Sequence, residues 1–252
     1  MNPFKKTKKQ LSIFTTFGFP SLESFDSQMD SFSRYGIDFI EVGIPFSDPL
    51  ADGPTIQRSS ERALKNGVNL ALIFEKLNER KRELPIVLMG YFNPILHFGL
   101  ERFLQACQQT GVAGVILPDI SFEIYQHFYA EQFEKYDVKL IFLITPETSN
   151  ERITEIAEYS TDRFIYLVAT SSTTGTKSVK LDSERIAEIR KLCGETPVFI
   201  GFGIQNAQDL VSVNELVDGA IVGSAYIKAL ARNEQELFLE KRTSSVFESE
   251  NP

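Results

Sequence analysis

The chain has 252 residues and contains no tryptophan, two cysteines and two histidines. Cys107 and Cys193 lie far apart without CxxC spacing, so no disulfide framework is indicated and a reducing compartment, the cytoplasm, is expected. His97 and His127 join no set of cysteines and carboxylates at metal-ligand spacing. No apolar run approaches the ~18 residues a membrane helix needs. The basic start, Met1–Gln10, leads into no signal-peptide core. Positive charge is in deficit: 26 Lys and Arg stand against 34 Asp and Glu, a net −8. That argues against a nucleic-acid partner, which needs a basic patch. The glycine-rich segments match neither GxGxxG nor a phosphate-loop pattern, so no dinucleotide or nucleotide cofactor is indicated. Linkers and domain boundaries are also missing, which predicts one domain over residues 1–252. Within it a short N-terminal helix is expected at the start and a frayed tail at the end, from about 242 to 252, where Ser, Glu and Asn dominate.

What is present is repetition. Short apolar runs recur at Leu11–Phe17, Phe39–Ile44, Ile86–Met89, Gly114–Leu117, Leu140–Ile144, Phe164–Val168, Val198–Ile200 and Ala220–Val222. Their Ile, Val, Leu and Phe content suits strands buried on both faces. The stretches between them, among them Ser59–Lys65, Leu70–Arg82, Leu100–Gln109 and Ser149–Tyr159, carry charge on one side and read as helices. Alternating strand and helix requires parallel neighbours joined by crossovers. Eight such units in about 250 residues predict a single (β/α)8 barrel of the TIM type, an α/β fold with its active site at the C-terminal ends of the strands.

At those ends Phe39-Ile-Glu-Val-Gly-Ile-Pro-Phe-Ser-Asp-Pro-Leu-Ala-Asp-Gly53 stands out. A buried unpaired carboxylate costs several kcal/mol, so Glu41 at the end of an apolar strand serves chemistry rather than packing. An apolar barrel mouth raises its proton affinity and suits it to proton transfer near neutral pH. The following loop, Pro45–Gln57, is too long for a mere connection. It carries Asp48 and Asp52, for which turn chemistry is the competing reading, and it can fold Asp52 back towards Glu41. Gly201-Phe-Gly-Ile204 and Gly223-Ser-Ala-Tyr226 follow the last two strands, where barrels commonly hold phosphate on bare amides and a helix N-terminus. The hydroxyl-rich segment after the sixth strand, Ala169–Ser178, is placed to act as a lid. No lysine stands at a strand C-terminus, which weakens a Schiff-base aldolase.

These residues resemble the α subunit family of tryptophan synthase from about Phe14 to Leu230. The most specific part is Ile40–Gln57, and Met89-Gly-Tyr-Phe-Asn-Pro94, Leu117-Pro-Asp119, Gly201-Phe-Gly203 and Gly223-Ser224 agree in order and spacing. The resemblance implies a carbon–carbon lyase that cleaves indole-3-glycerol phosphate to indole and glyceraldehyde 3-phosphate without metal or organic cofactor. It also implies a partner, a pyridoxal-phosphate-dependent β subunit, in an α2β2 complex. Glu41 matches the family's acid/base glutamate and Asp52 its aspartate for the indole N–H. Phe14, Tyr166 and Phe202 match the substrate pocket, Gly203, Gly223 and Ser224 the phosphate site, and Thr174 and Gly175 the closing loop. Asp48 with the Asn93–Gly99 loop, including Pro94, matches the partner surface. The missing tryptophan suits a pathway that runs when that amino acid is scarce.

The chain departs from the family pattern at Gly18-Phe19-Pro20, where an aspartate is replaced, and in Ala169–Gly175, where Thr170 and Ser172 replace an arginine and a glycine. The second departure motivates an alternative: a weakly catalytic or inactive subunit that acts mainly as an activator of β. Another phosphate-binding barrel is the third reading, and it leaves the Pro45–Gln57 loop unexplained.

Overall fold

Successive side chains of a strand point to opposite faces, so a barrel strand must be apolar twice over, once for the interior and once for the helices outside. The computed structural model describes residues 2–5, 8–79, 84–168, 182–201 and 215–248 and shows this arrangement. Its strands are β1 Gln10–Thr16, β2 Phe39–Gly43, β3 Ile86–Met89, β4 Gly114–Ile116, β5 Leu140–Ile141, β6 Leu143–Ile144, β7 Ile165–Val168, β8 Val198–Gly201 and β9 Gly219–Val222. All pair in parallel, in the order β5-β4-β3-β2-β1-β9-β8-β7-β6. The two ends of that order, β5 and β6, are halves of the one run predicted at Leu140–Ile144. It pairs with β4 through its first half and with β7 through its second, changing neighbours at Phe142. The Tyr166 amide donates to the Phe142 carbonyl at 3.0 Å. The sheet thereby comes round to a nearly closed barrel.

The helices are α1 Ser24–Arg34, α2 Pro54–Lys65, α3 Leu70–Glu79, α4 Phe92–Phe98, α5 Leu100–Thr110, α6 Phe122–Phe128, α7 Ala130–Lys135, α8 Asn150–Tyr159, α9 Ser183–Leu192, α10 Ser224–Ala231 and α11 Gln235–Glu248. Local chemistry sets their starts. Ser121, Ser149 and Asp182 cap α6, α8 and α9 by accepting from the amides of Ile124, Arg152 and Arg185. Pro54 opens α2 at its first position, where no amide is needed.

Four expectations are corrected. The loop after β2 ends at Gly53 rather than Gln57 because Pro54 begins a helix. The expected Asn93–Gly99 loop is helix α4, so His97 lies on a helix. The described N-terminal residues Asn2–Lys5 form a turn, with the Phe4 amide donating to Asn2 Oδ1 at 2.9 Å, rather than a helix. The tail continues as α11 to Glu248, with Arg242 and Thr243 buried; the apolar Leu239 anchors this polar stretch from within the same helix.

Two apolar clusters follow the strand alternation. Ile40, Val42, Leu88, Val115, Ile165, Leu167, Ile200 and Val222 pack outward under the helices. Phe39, Val87, Met89, Ile116, Ile141, Tyr166, Phe199 and Ile221 fill the interior. Phe4 closes the bottom: its ring meets those of Phe39 and Phe164 edge-on at 5.1 and 4.9 Å. Burying a phenylalanine in this way is worth about 1.5–3 kcal/mol. Among the described residues the interior is thus closed below by Phe4.

Candidate active site

Glu41 shares the inward face of β2 with Phe39 and Gly43. Its register partners are Phe14 on β1 and Val87 on β3, both members of the interior cluster. The side chain is fully buried, and neither carboxyl oxygen has a hydrogen-bond partner among the described residues. Burial alone therefore acts on it and raises its pKa from 4.5 to about 8. A carboxyl in that state can give up a proton and take one back at neutral pH.

Asp52 comes from the β2–α2 loop, a chain of short turns in which the Leu50 amide donates to the Asp48 carbonyl and the Asp52 amide to the Pro49 carbonyl. Burial raises its pKa to about 6, and a hydrogen bond from the Tyr91 hydroxyl opposes that rise. The same Tyr91 oxygen accepts from the Ala51 amide at 2.9 Å, and the Tyr91 ring lies 5.3 Å from that of Phe46. One tyrosine at the end of β3 thus ties down both the loop and its carboxylate. Burial, followed by the Asp52 charge, pushes the Tyr91 hydroxyl well up, so it remains a donor.

Tyr166 projects inward from β7 and is buried. Its hydroxyl is held well above its ordinary value, first by burial and then by the charges of Glu41 and Asp52. That shared influence brings the two carboxyls and the phenol into one neighbourhood. Glycines make room for the rings: a Cβ on Gly43 would lie 2.5 Å from Phe14 Cζ, and one on Gly201 would lie 1.9 Å from Tyr166 Oη. Each ring rests directly on bare backbone of the strand beside it.

Gly223 caps α10, and having no side chain it makes no cap hydrogen bond to the first amides of that helix. A Cβ on Gly223 would lie 3.4 Å from Phe14 Cβ, which puts this helix start beside the aromatic wall. Ser224 is exposed there. The first amides of a helix, the positive end of its dipole and a hydroxyl suit a phosphate group.

Phe14, Glu41, Asp52, Tyr166 and Gly223 therefore share the barrel mouth. Asp48 and Asn93 are exposed and Pro94 half-buried, on the loop after β2 and on α4, outside that interior. Thr174, Gly175, Phe202 and Gly203, with the Ala169–Ser178 segment, lie outside the described residues. Sequence reasoning assigned no role to two residues that the fold uses. Tyr91 is one. Asp119, after β4, is the other: both its carboxyl oxygens accept from the Phe92 amide, at 3.1 and 2.9 Å, and so cap α4 from a different strand end. Both stood inside quoted motifs, and the signal was there: a tyrosine and an aspartate immediately beyond strand ends.

Comparison with known proteins agrees with this geometry. The family model described as tryptophan synthase alpha chain matches residues 2–250. A tryptophan synthase alpha chain of Flavobacterium psychrophilum is 44% identical over 233 residues, covering 91% of this chain and 92% of the relative. One from Christiangramia forsetii is 45% identical over 229 residues, covering 89% of each. Among solved structures, the tryptophan synthase subunit alpha of Campylobacter jejuni superposes with a TM-score of 0.83 at 30% identity, covering 94% of this chain and 96% of that one. A mutant alpha subunit from Pyrococcus furiosus superposes with a TM-score of 0.82 at 35% identity, covering 95% and 98%.

Proposed function

This chain belongs to the tryptophan synthase alpha chain family, and from that membership we propose how its residues carry out the family's reaction, the retro-aldol cleavage of indole-3-glycerol phosphate in the last step of tryptophan biosynthesis. The observation that carries the assignment is the pairing of an unpartnered, fully buried carboxyl with a half-buried one whose pKa lies about two units lower.

Between pH ~6 and ~8 Glu41 is protonated and Asp52 ionised. Glu41 delivers its proton to indole C3, which leaves positive charge on the ring nitrogen. The Asp52 carboxylate faces that N–H and stabilises the charge in a site shielded from water. The Glu41 carboxylate then takes the proton of the glycerol hydroxyl next to the ring. As the carbonyl forms, the electrons of the C–C bond return to the indole, and glyceraldehyde 3-phosphate leaves. Phe14 and Tyr166 hold the indole ring, while Gly223, Ser224 and the start of α10 hold the phosphate. Thr174, Gly175, Phe202 and Gly203 complete the pocket by resemblance to the family. Two proton transfers drive the C–C cleavage, and the protonated indole ring accepts its electrons, so the chain needs neither metal nor organic cofactor, and pyridoxal phosphate belongs to the β partner.

The rim bearing Asp48, Asn93 and Pro94 is the docking surface for β in an α2β2 complex, and Leu50 on the same loop is 88% exposed, which suits burial by a partner. The setting is the cytoplasm; no helix among the described residues is long and apolar enough to cross a membrane. No observation favours the weakly catalytic alternative, because the segment that motivates it, Ala169–Gly175, lies outside the described residues.

Indole release with β present tests the assignment. Glu41→Gln and Asp52→Asn should each lower it ~10²–10⁴-fold, and wild-type kcat/KM should trace a bell with limbs near pH 6 and 8. Undiminished release by Glu41→Gln would remove Glu41 from the mechanism.

A further inference from the structure

Glu41 is not the only orphaned polar group inside the barrel. Ser12, in the middle of β1, is fully buried, and its hydroxyl has no hydrogen-bond partner among the described residues. Its register neighbours are Phe39 on one side and Ile221 on the other, both in the interior cluster, so Ser12 faces the same space. A hydroxyl in that space loses its hydration and gains nothing in packing, and a buried donor left unmade costs about 1–3 kcal/mol. An apolar residue would serve a purely structural role better.

The register places Ser12 one step diagonally from Glu41: Ser12 pairs with Phe39 and Phe14 with Glu41. With strands ~4.8 Å apart and a rise of ~3.3 Å per residue, the two Cα atoms are about 8 Å apart. A serine hydroxyl and a glutamate carboxyl across that diagonal, which make no direct hydrogen bond, are within the span of one bridging water and together supply the polar partners such a water requires. Phe39, level with Ser12 in the register, packs with Phe164 and Phe199 at ring-centroid distances of 4.9–5.4 Å, and Phe4 lies against Phe39 and Phe164 from beneath. That aromatic floor blocks exchange from the bottom.

We propose that Ser12 anchors a single internal water against the carboxyl of Glu41, and that Ser12 is thereby a positioning residue for the proton carrier. The proposal rests on the reading of Glu41 given above. The water donates to the ionised carboxylate and turns the acid towards the mouth when the proton has left. The titratable groups facing Glu41 from the surrounding elements are Tyr166 on β7 and Asp52 in the loop after β2; Phe14 and Val87 are the apolar neighbours on β1 and β3. Burial is what disfavours an ionised Glu41, and neither group brings a positive charge to offset it, so the water is the contact that favours the ionised form.

Infrared titration of the Glu41 carboxyl band, identified as the band lost in Glu41→Gln, reads this without reference to turnover. In Ser12→Ala the midpoint should rise by about one pH unit, the alkaline limb of kcat/KM should follow it, and Ser12→Thr, which keeps the hydroxyl, should restore both. An unchanged midpoint in Ser12→Ala overturns the proposal, as does a shift that Ser12→Thr fails to restore, which would mark a packing effect. Failure of the catalytic reading would appear separately, as undiminished indole release in Glu41→Gln while the band still responds to Ser12.

Discussion

Replacing Glu41 with glutamine should make the protein more stable while removing its chemistry, and the gain should depend on pH in a calculable way. In the unfolded chain the carboxyl ionises near 4.5, and in the barrel it keeps its proton to about 8. Between those values the folded state binds more protons than the unfolded one, so stability falls as pH rises through that window. Below 4.5 both states are protonated and the penalty vanishes. The interval from 4.5 to about 8, at about 1.36 kcal/mol per unit, amounts to ~5 kcal/mol once pH 9 is reached, ~3 kcal/mol at pH 7 and ~1 kcal/mol at pH 5. Glutamine has the shape of the protonated acid and does not titrate, so any other difference between the proteins is an offset independent of pH. Urea unfolding of both at pH 5, 7 and 9 measures the difference. In thermal scans the pH 7 advantage corresponds to roughly 6–12 °C for a chain of this size. A difference that stays flat from pH 5 to 9 would refute the claim that Glu41 is buried without a partner, whatever the kinetics show.

Two further perturbations probe the shell around the carboxyls. Tyr91→Phe removes the hydrogen bond that opposes the rise of the Asp52 pKa, so the acid limb of the kcat/KM profile should move above pH ~6 and activity near pH 6.5 should fall several-fold; an unmoved limb removes Tyr91 from contact with Asp52. Gly201→Ala places a methyl 1.9 Å from Tyr166 Oη and 2.4 Å from Cζ, which drives the ring off its strand, so stability should fall by about 1–3 kcal/mol and KM should rise. Urea titration and steady-state kinetics read both effects, and wild-type values in both would contradict the close approach.

The repeating units were plain along the chain because parallel strands covered on both faces must be apolar throughout, and β3 runs over Ile86–Met89 as the apolar run predicts. Glu41 was conspicuous for the converse reason, a charge where packing has no use for one. Less legible were features that depend on neighbours distant in sequence. Leu140–Ile144 reads as one strand and divides at Phe142 because its two ladders belong to different neighbours. Polar residues near the C-terminus suggested fraying, yet α11 is tied down by contacts such as Ser31 Oγ with the Glu236 carboxylate and Arg34 with Glu236 at 3.5 Å, which no local pattern announces.

Family, barrel architecture and the candidate glutamate for proton transfer were legible in the sequence itself, through residue types that recur at fixed periods and a carboxylate out of place among them. The tertiary structure decided what each group can do. It left Glu41 and Ser12 without hydrogen-bond partners among the described residues across a diagonal, gave Asp52 a tyrosine from beyond the end of β3, and laid Phe14 and Tyr166 on bare glycine backbone. Proton affinity depends on which dipoles, charges and waters reach a group in space, and those come from strands that only the closed sheet makes neighbours.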